Sequence, residues 1–200
     1  MNMLAFRHAE HDINPFFPER WSPRGYKQTQ IDRDTLWSFF EAARWSPSAY
    51  NAQPWRFIYV LKGTAHWDSL FKTLSPDNQL WAAHTSALVL VVSKKTFTPL
   101  GKDKAVDIPS HSFDTGAACA HLTLQASLKG WHTRAIGGYD HALVRESLSI
   151  PDDYHLEVII AIGQQGSIDH LPASLQAREQ PTLRRSTVTF VAEGAFLFQD

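Results

Sequence analysis

Two short runs constrain this chain more than anything else in it: SALVLVVS at 86–93 and LEVIIAIG at 156–163. Each is apolar at successive positions rather than alternate ones, and each is bounded by polar or turn-forming residues. Both read as fully buried strands. The rest of the chain supplies what would cover them. RDTLWSFFEAARW at 33–45 puts Leu36, Phe39, Phe40 and Ala43 on one helical face, with Asp32 as its N-cap. WRFIYVL at 55–61 has the aromatic and β-branched character of a strand. A second helix is expected over 64–74, with Trp67, Leu70, Phe71 and Leu74 inward. The strongest helix runs from Phe113 to Lys129 and stops at Gly130 in the C′ position. A short strand follows at 131–137, then a helix at 141–148 that ends before Pro151. The tail STVTFVA, 186–192, reads as a strand that needs a partner.

These elements alternate with no internal repeat and no linker, so 1–200 is expected to form a single domain. Within it, 1–31 holds Pro15, Pro18 and Pro23 and reads as an extended arm. Residues 94–112 read as a short lid or connection. No G-x-G-x-x-G follows any strand, so the usual dinucleotide-binding motif is absent.

Charge and composition exclude several classes. The formal net charge is −1, which gives no broad footprint for nucleic acid. The one cysteine, Cys119, rules out an internal disulfide and a cysteine-based zinc site. It lies in an apolar helical context, which suits an inert thiol. The ten histidines are scattered, without an H-E-x-x-H pair, so no metal site is expected. No G-x-S-x-G elbow appears. Residues 1–10 lack the apolar core of a signal peptide, and 87–92 is too short an apolar run to span a bilayer. A soluble cytoplasmic protein is the expectation. Seven tryptophans and twelve phenylalanines are many for 200 residues, which makes an oligomer plausible.

Four polar clusters interrupt the apolar framework. SPSAYNAQPWRF at 46–57 gathers amide and hydroxyl groups between a helix and a strand, which suits the rim of a site for a flat polar molecule. RWSPR at 20–24 would turn Arg20, Ser22 and Arg24 to one face of an extended segment. That face either binds a phosphate or similar anion or is a solvated basic arm. Arg184-Arg185 is a second candidate anion site with the same alternative. Asn78 either reads an edge of alternating donors and acceptors or caps a turn after Pro76-Asp77. Gly137-Gly138 either lets a ligand approach the backbone or forms a plain turn capped by Asp140.

The order of these clusters is more specific than any one of them. The R-x-S-x-R arm, the S-P-S-x-x-N-x-Q-P-W loop, Asn-Gln before a strand, a helix beginning Asp114-x-Gly116, Gly-Gly-Tyr-Asp, Ala-Ile-Gly and a late arginine together resemble the FMN-dependent nitroreductase family from about residue 18 to 194. The resemblance implies an α+β fold whose central, mostly antiparallel sheet is flanked by helices. It also implies a homodimer with FMN at the subunit interface and a C-terminal strand exchanged with the partner. By the same resemblance Arg20 and Arg184 are phosphate ligands, with Arg185 a second late cation. Trp21 and Ser22 belong to the cofactor-binding arm, and Arg24 reaches the pyrimidine side of the flavin. Asn78 reads the pyrimidine edge. Pro47, Ser48 and Asn51 cover the FMN held by the other subunit, and Gly137 and Gly138 face flavin N5. No side chain is implied as catalytic, since the chemistry lies at the flavin. NADH or NADPH would donate hydride, and a small electron-poor acceptor such as a nitroaromatic or quinone would take it at the same site. A flavin carrier or sensor, or a specialised reaction on the same fold, remains the alternative. Pro23 removes one backbone donor from the arm, and the short lid implies an open pocket, with Lys94, Lys95, Phe97, His111 and Phe113 as candidate lining.

Overall fold

The computed structural model describes residues 7–198. They form two compact units, a larger one of residues 22–179 and a smaller one drawn from both ends of the chain.

In the larger unit the two apolar runs are neighbours. Numbered along the chain, β1 (Tyr26–Lys27), β2 (Trp55–Leu61), β3 (Ala87–Lys94), β6 (His132–Ile136) and β7 (Tyr154–Gln165) form a five-stranded sheet. β3 is its centre, paired with β2 on one edge and β7 on the other, all antiparallel. The far edge of β7 takes β6 first and then β1. The unbroken hydrophobicity of β3 has a direct cause: Leu88, Leu90 and Val92 enter one core, while Ala87, Val89 and Val91 enter another. Antiparallel sheets often leave one face wet and show alternation. Here helices cover both faces. On one side lie α2 (Arg33–Arg44), through Leu36, Phe39 and Ala43, and α5 (His111–Leu128), through Ala118, Leu122 and Ala126. On the other lie α3 (Trp67–Phe71), α4 (Pro76–Ala82) and α6 (His141–Leu148), through Trp67, Leu70, Trp81 and Val144. This is the expected α+β class.

The caps follow the sequence. Asp32 accepts from the Thr35 N–H at 2.8 Å, and Asp140 from the Leu143 N–H at 2.9 Å. Gly130 ends α5 with φ +73°, and the Trp131 N–H reaches back to the Ala126 carbonyl at 2.9 Å.

Several elements differ from expectation. The helix expected over 64–74 is only α3; Leu74 instead bridges to Tyr139. A further helix, α4, begins where a turn after Pro76-Asp77 was one of the two readings, with Ser75 before it and Pro76 at its first position. The arm is not wholly irregular. It contributes α1 (Phe16–Glu19) to the smaller unit and β1 to the larger. The 94–112 connection holds a small hairpin, β4 (Thr96–Phe97) with β5 (Val106–Asp107). After β7 the chain makes one more short helix, α7 (Ala173–Gln176). The tail forms no strand within one chain; it makes a 3-10 turn at Thr187–Thr189 and leaves Val188, Phe190 and Val191 exposed. Among the described residues no helix is long and apolar enough to cross a membrane.

Candidate functional site

In the smaller unit, arginines from the two ends of the chain meet. A cavity of about 570 Å³ is lined by Arg7, Arg20, Arg184 and Arg185, with Ile13, Phe17 and Phe190 supplying apolar wall. Arg20 is half-buried and Arg184 and Arg185 are exposed. Arg184 holds its own loop, its Nη1 donating to the carbonyls of Thr182 and Leu183 at 3.2 Å. Glu10, the one carboxylate among the described lining residues, faces Thr187, accepting from its N–H at 2.8 Å and its hydroxyl at 2.7 Å. Those bonds hold the Glu10 carboxyl below its usual range. The guanidinium of Arg20 titrates below its ordinary value, first through burial and then through repulsion from Arg184. Like charges gathered around a hollow favour a dianion entering it. Arg20 and the late arginines, far apart in sequence, thus line one cavity. Trp21, in the same unit, has a buried indole N–H without a hydrogen-bond partner among the described residues.

In the larger unit, the Gly-Gly-Tyr-Asp turn is stitched to the start of α4. The Ser75 N–H donates to the Gly138 carbonyl at 3.0 Å, and the Asp140 N–H to Thr73 at 2.8 Å. Asn78 closes the arrangement. Its Nδ2 donates to Ser75 Oγ at 3.0 Å and to the Gly138 carbonyl at 3.1 Å, while its Oδ1 accepts from the Trp81 indole at 3.3 Å. Both amide protons are thus spent inside the protein, and one Oδ1 lone pair is left. Asn78 and the double glycine do come together, as a half-buried acceptor beside an exposed turn. The two glycines differ. A Cβ at Gly138 would lie 2.9 Å from Asn78 Nδ2, whereas one at Gly137 would meet nothing within 4 Å. Gly138 is needed for packing; Gly137 leaves the outer side of the turn open to a ligand.

Arg24 is not a loose cation. Its backbone N–H donates to Glu179 Oε1, and its Nη1 lies 3.7 Å from Glu179 Oε2. The Ser22 carbonyl accepts from Arg134 Nη1.

The 46–57 loop is strained and pinned. Tyr50, Asn51 and Gln53 take left-handed φ values of 55°, 53° and 48°. Non-glycine residues rarely do so, and such strain persists where the surroundings over-determine it. Three contacts do this. The Ala49 N–H donates to the buried carboxylate of Asp114 at 3.0 Å. Ser46 Oγ lies 2.9 Å from His121 Nδ1. Tyr50 stacks on Phe97 at 5.5 Å, joining the loop to the β4–β5 hairpin. Ser48 Oγ accepts from the Gln53 N–H at 3.0 Å, while Pro47 and Asn51 stay exposed. Of the candidate lining of the lid, Phe113 is exposed, Lys94 is paired with Asp153, and His111 Nδ1 lies 2.7 Å from Ser93 Oγ.

Two residues of these clusters, one in each unit, carried no sequence signal of their own. Arg7 sits in the aperiodic arm. Ser75 was given no role, standing just before Pro76-Asp77.

Comparison with known proteins identifies the family. The Nitroreductase family model matches residues 18–75 and 62–164. A Bacillus subtilis protein provisionally named an NAD(P)H nitroreductase, YdgI, is 24% identical over 187 residues, covering 77% of this chain and 88% of its own. A solved oxidoreductase containing FMN superposes with a TM-score of 0.92 at 35% identity, over 96% of this chain and 97% of the other. A protein from Exiguobacterium sibiricum, solved with FMN, shares the fold with a TM-score of 0.71 at 20% identity, over 93% of this chain and 99% of its own. With more than half of its length matched by one family model and its whole architecture repeated in a solved relative, this chain belongs to the nitroreductase family.

Proposed function

We propose that this protein is an FMN-dependent oxidoreductase that takes hydride from NADH or NADPH and passes it to a small electron-poor acceptor, such as a nitroaromatic or a quinone. The observation that carries this reading is the arginine-lined cavity of the smaller unit, whose one carboxylate among the described residues, Glu10, is turned to Thr187. A phosphate monoester bears about −1.5 to −2 charges at neutral pH and offers three acceptor oxygens, which suits that donor set. The solved relative that contains FMN supports the choice of flavin phosphate, and the name of the Bacillus subtilis relative supports a nicotinamide donor.

Groups within the smaller unit suit the phosphate, and groups within the larger suit the ring. Arg20 and Arg184 would hold the phosphate, with Arg185 adding charge and the Trp21 indole and Ser22 adding polar contacts. Asn78 has one acceptor lone pair left, which suits the single N–H of the flavin's imide. Arg24 would bring a cation to the pyrimidine side, its fork oriented by Glu179. Gly137 leaves room for a flat ring to approach the turn. When bound, FMN supplies a ring that accepts hydride from a nicotinamide and later releases it to another substrate. The protein's part is binding, orientation and exclusion, and no side chain acts as a nucleophile. Donor and acceptor would use one site in turn, which gives ping-pong kinetics. Pro47, Ser48 and Asn51 would cover the flavin held by a second copy of the chain, in a soluble, cytoplasmic homodimer.

Protein incubated with FMN and desalted is expected to be yellow, to bleach under anaerobic NADH or NADPH, and to recolour when an acceptor is added. Protein that retains no FMN would end this reading. Protein that keeps FMN but is bleached by neither nicotinamide would instead be a flavin carrier or sensor.

A further inference from the structure

We propose that Arg7 is a third guanidinium of the phosphate pocket, and that it sets the preference of this protein for a flavin with a terminal phosphate over one without. The inference rests on the FMN reading above and adds to it a residue lying upstream of the family model's first matched position, 18.

Arg7 is only 7% exposed. Arginine is almost never fully buried unless paired. Among the described residues Arg7 forms no ion pair; its Nη1 donates to the Arg20 carbonyl at 3.2 Å. That bond fixes the guanidinium beside the residue already assigned to the phosphate and leaves most of its five donors for something else. Its surroundings make matters worse for an isolated cation. Burial first, then the charges of Arg184 and Arg20, push its proton affinity down. Ile13, Phe17 and Phe190 line the same cavity and bring no counter-charge to it. Glu10 keeps its charge, but its carboxylate is turned to the Thr187 N–H and hydroxyl and makes no ion pair with Arg7 among the described residues. The site is therefore unfavourable alone and favourable around a dianion. A phosphate monoester at the end of a ribityl chain meets that need; the neutral alcohol of riboflavin does not.

The test uses the full-length chain stripped of flavin, titrated with FMN and with riboflavin while flavin fluorescence is followed. Arg7→Met keeps an unbranched apolar stem and removes the charge. It is expected to weaken FMN binding about 10- to 100-fold, the range for a lost hydrogen bond to a charged group. Riboflavin binding should stay within about twofold, and Arg7→Lys should recover part of the loss, because it restores charge without the fork. Thermal melts separate this role from a structural one. Without flavin, Arg7→Met should melt at or above the wild-type temperature, because like-charge repulsion is relieved. With FMN the wild type should gain more than the variant. Unchanged FMN affinity in Arg7→Met would overturn the proposal. So would equal losses for FMN and riboflavin with a lowered flavin-free melting temperature. A wild type that binds neither flavin would sink the FMN reading itself, and one that binds both equally would sink the phosphate anchor.

Discussion

At the scale of single residues, the site depends on a few buried polar groups, each committed to one task. Asp114 is the clearest. It is 5% exposed and accepts from the Ala49 N–H at 3.0 Å and the Ser110 hydroxyl at 3.1 Å, so one carboxylate ties the strained loop to the first turn of α5. Asp114→Ala leaves a backbone donor unmet and is expected to cost about 1–3 kcal/mol, read as a lower urea midpoint with an unchanged slope. A midpoint equal to wild type would mean the loop is held by its other contacts. Cys119 makes a different point. Burial first, then the charge of Glu157, push its thiol up to about 12. The thiolate is the reactive form, so in native protein near neutral pH the thiol should resist alkylating reagents and react only on unfolding. The sign of the linkage follows. The unfolded thiol loses its proton near its ordinary 9, so this contribution to stability is complete below pH 9 and is lost as pH rises from 9 to about 12. Rapid stoichiometric labelling of the folded protein would contradict this account.

At the scale of elements, close packing rather than propensity decides the arrangement at the sheet's edge. β1 is two residues long, yet Tyr26 is 1% exposed and its ring crosses Gly163 on β7. A Cβ at Gly163 would lie 2.6 Å from Tyr26 Cδ1, and the ring cannot retreat because it stacks on Trp81 with centroids 6.2 Å apart. Gly163→Ala is expected to destabilise by about 1–3 kcal/mol through overpacking, while Gly137→Ala, with open space at its Cβ, should stay within about 0.5 kcal/mol. Equal thermal shifts for the two variants would refute the argument. The same pair shows what could be read from the chain and what could not. β3, β7, α2 and α5 announce themselves because burial and periodicity act over many residues, and the caps at Asp32, Asp140 and Gly130 are local chemistry. β1 does not, because two residues cannot display a period and its partner is more than a hundred positions away. α4 was legible in principle from Ser75-Pro76-Asp77, but the same residues also suit a turn. The family order of motifs pointed to Arg20, Asn78 and Gly138. Nothing local pointed to Arg7, whose role comes only from which end of the chain it meets.

At the scale of the whole molecule, the apolar surface is too large for a chain expected to stand alone. In the larger unit Trp45, Tyr50, Phe113 and Leu128 are 71%, 86%, 80% and 66% exposed. In the smaller, Val188, Phe190, Val191, Phe196 and Leu197 are each more than half exposed. Single exposed hydrophobics need no explanation, but aromatic and aliphatic residues in this number suggest surfaces that another chain covers. The tail adds a second argument. Thr187-Val188-Thr189-Phe190-Val191 has strand composition, yet within one chain it makes only a 3-10 turn. A sequence that favours a strand but has no ladder to join suits pairing with a second copy. Light scattering is therefore expected to give twice the 22.6 kDa chain mass, and to keep giving it on dilution. Deleting 186–200 should shift the equilibrium towards monomer, because it removes both the apolar tail and the strand it would lend. If the 46–57 loop of each subunit covers the flavin of the other, the truncated protein should also lose FMN as it is diluted, in step with the fall in mass. Loss of flavin without loss of mass would place the tail at the cofactor rather than at the interface. A full-length chain that is monomeric and holds FMN firmly at every concentration would show that one chain completes the site by itself.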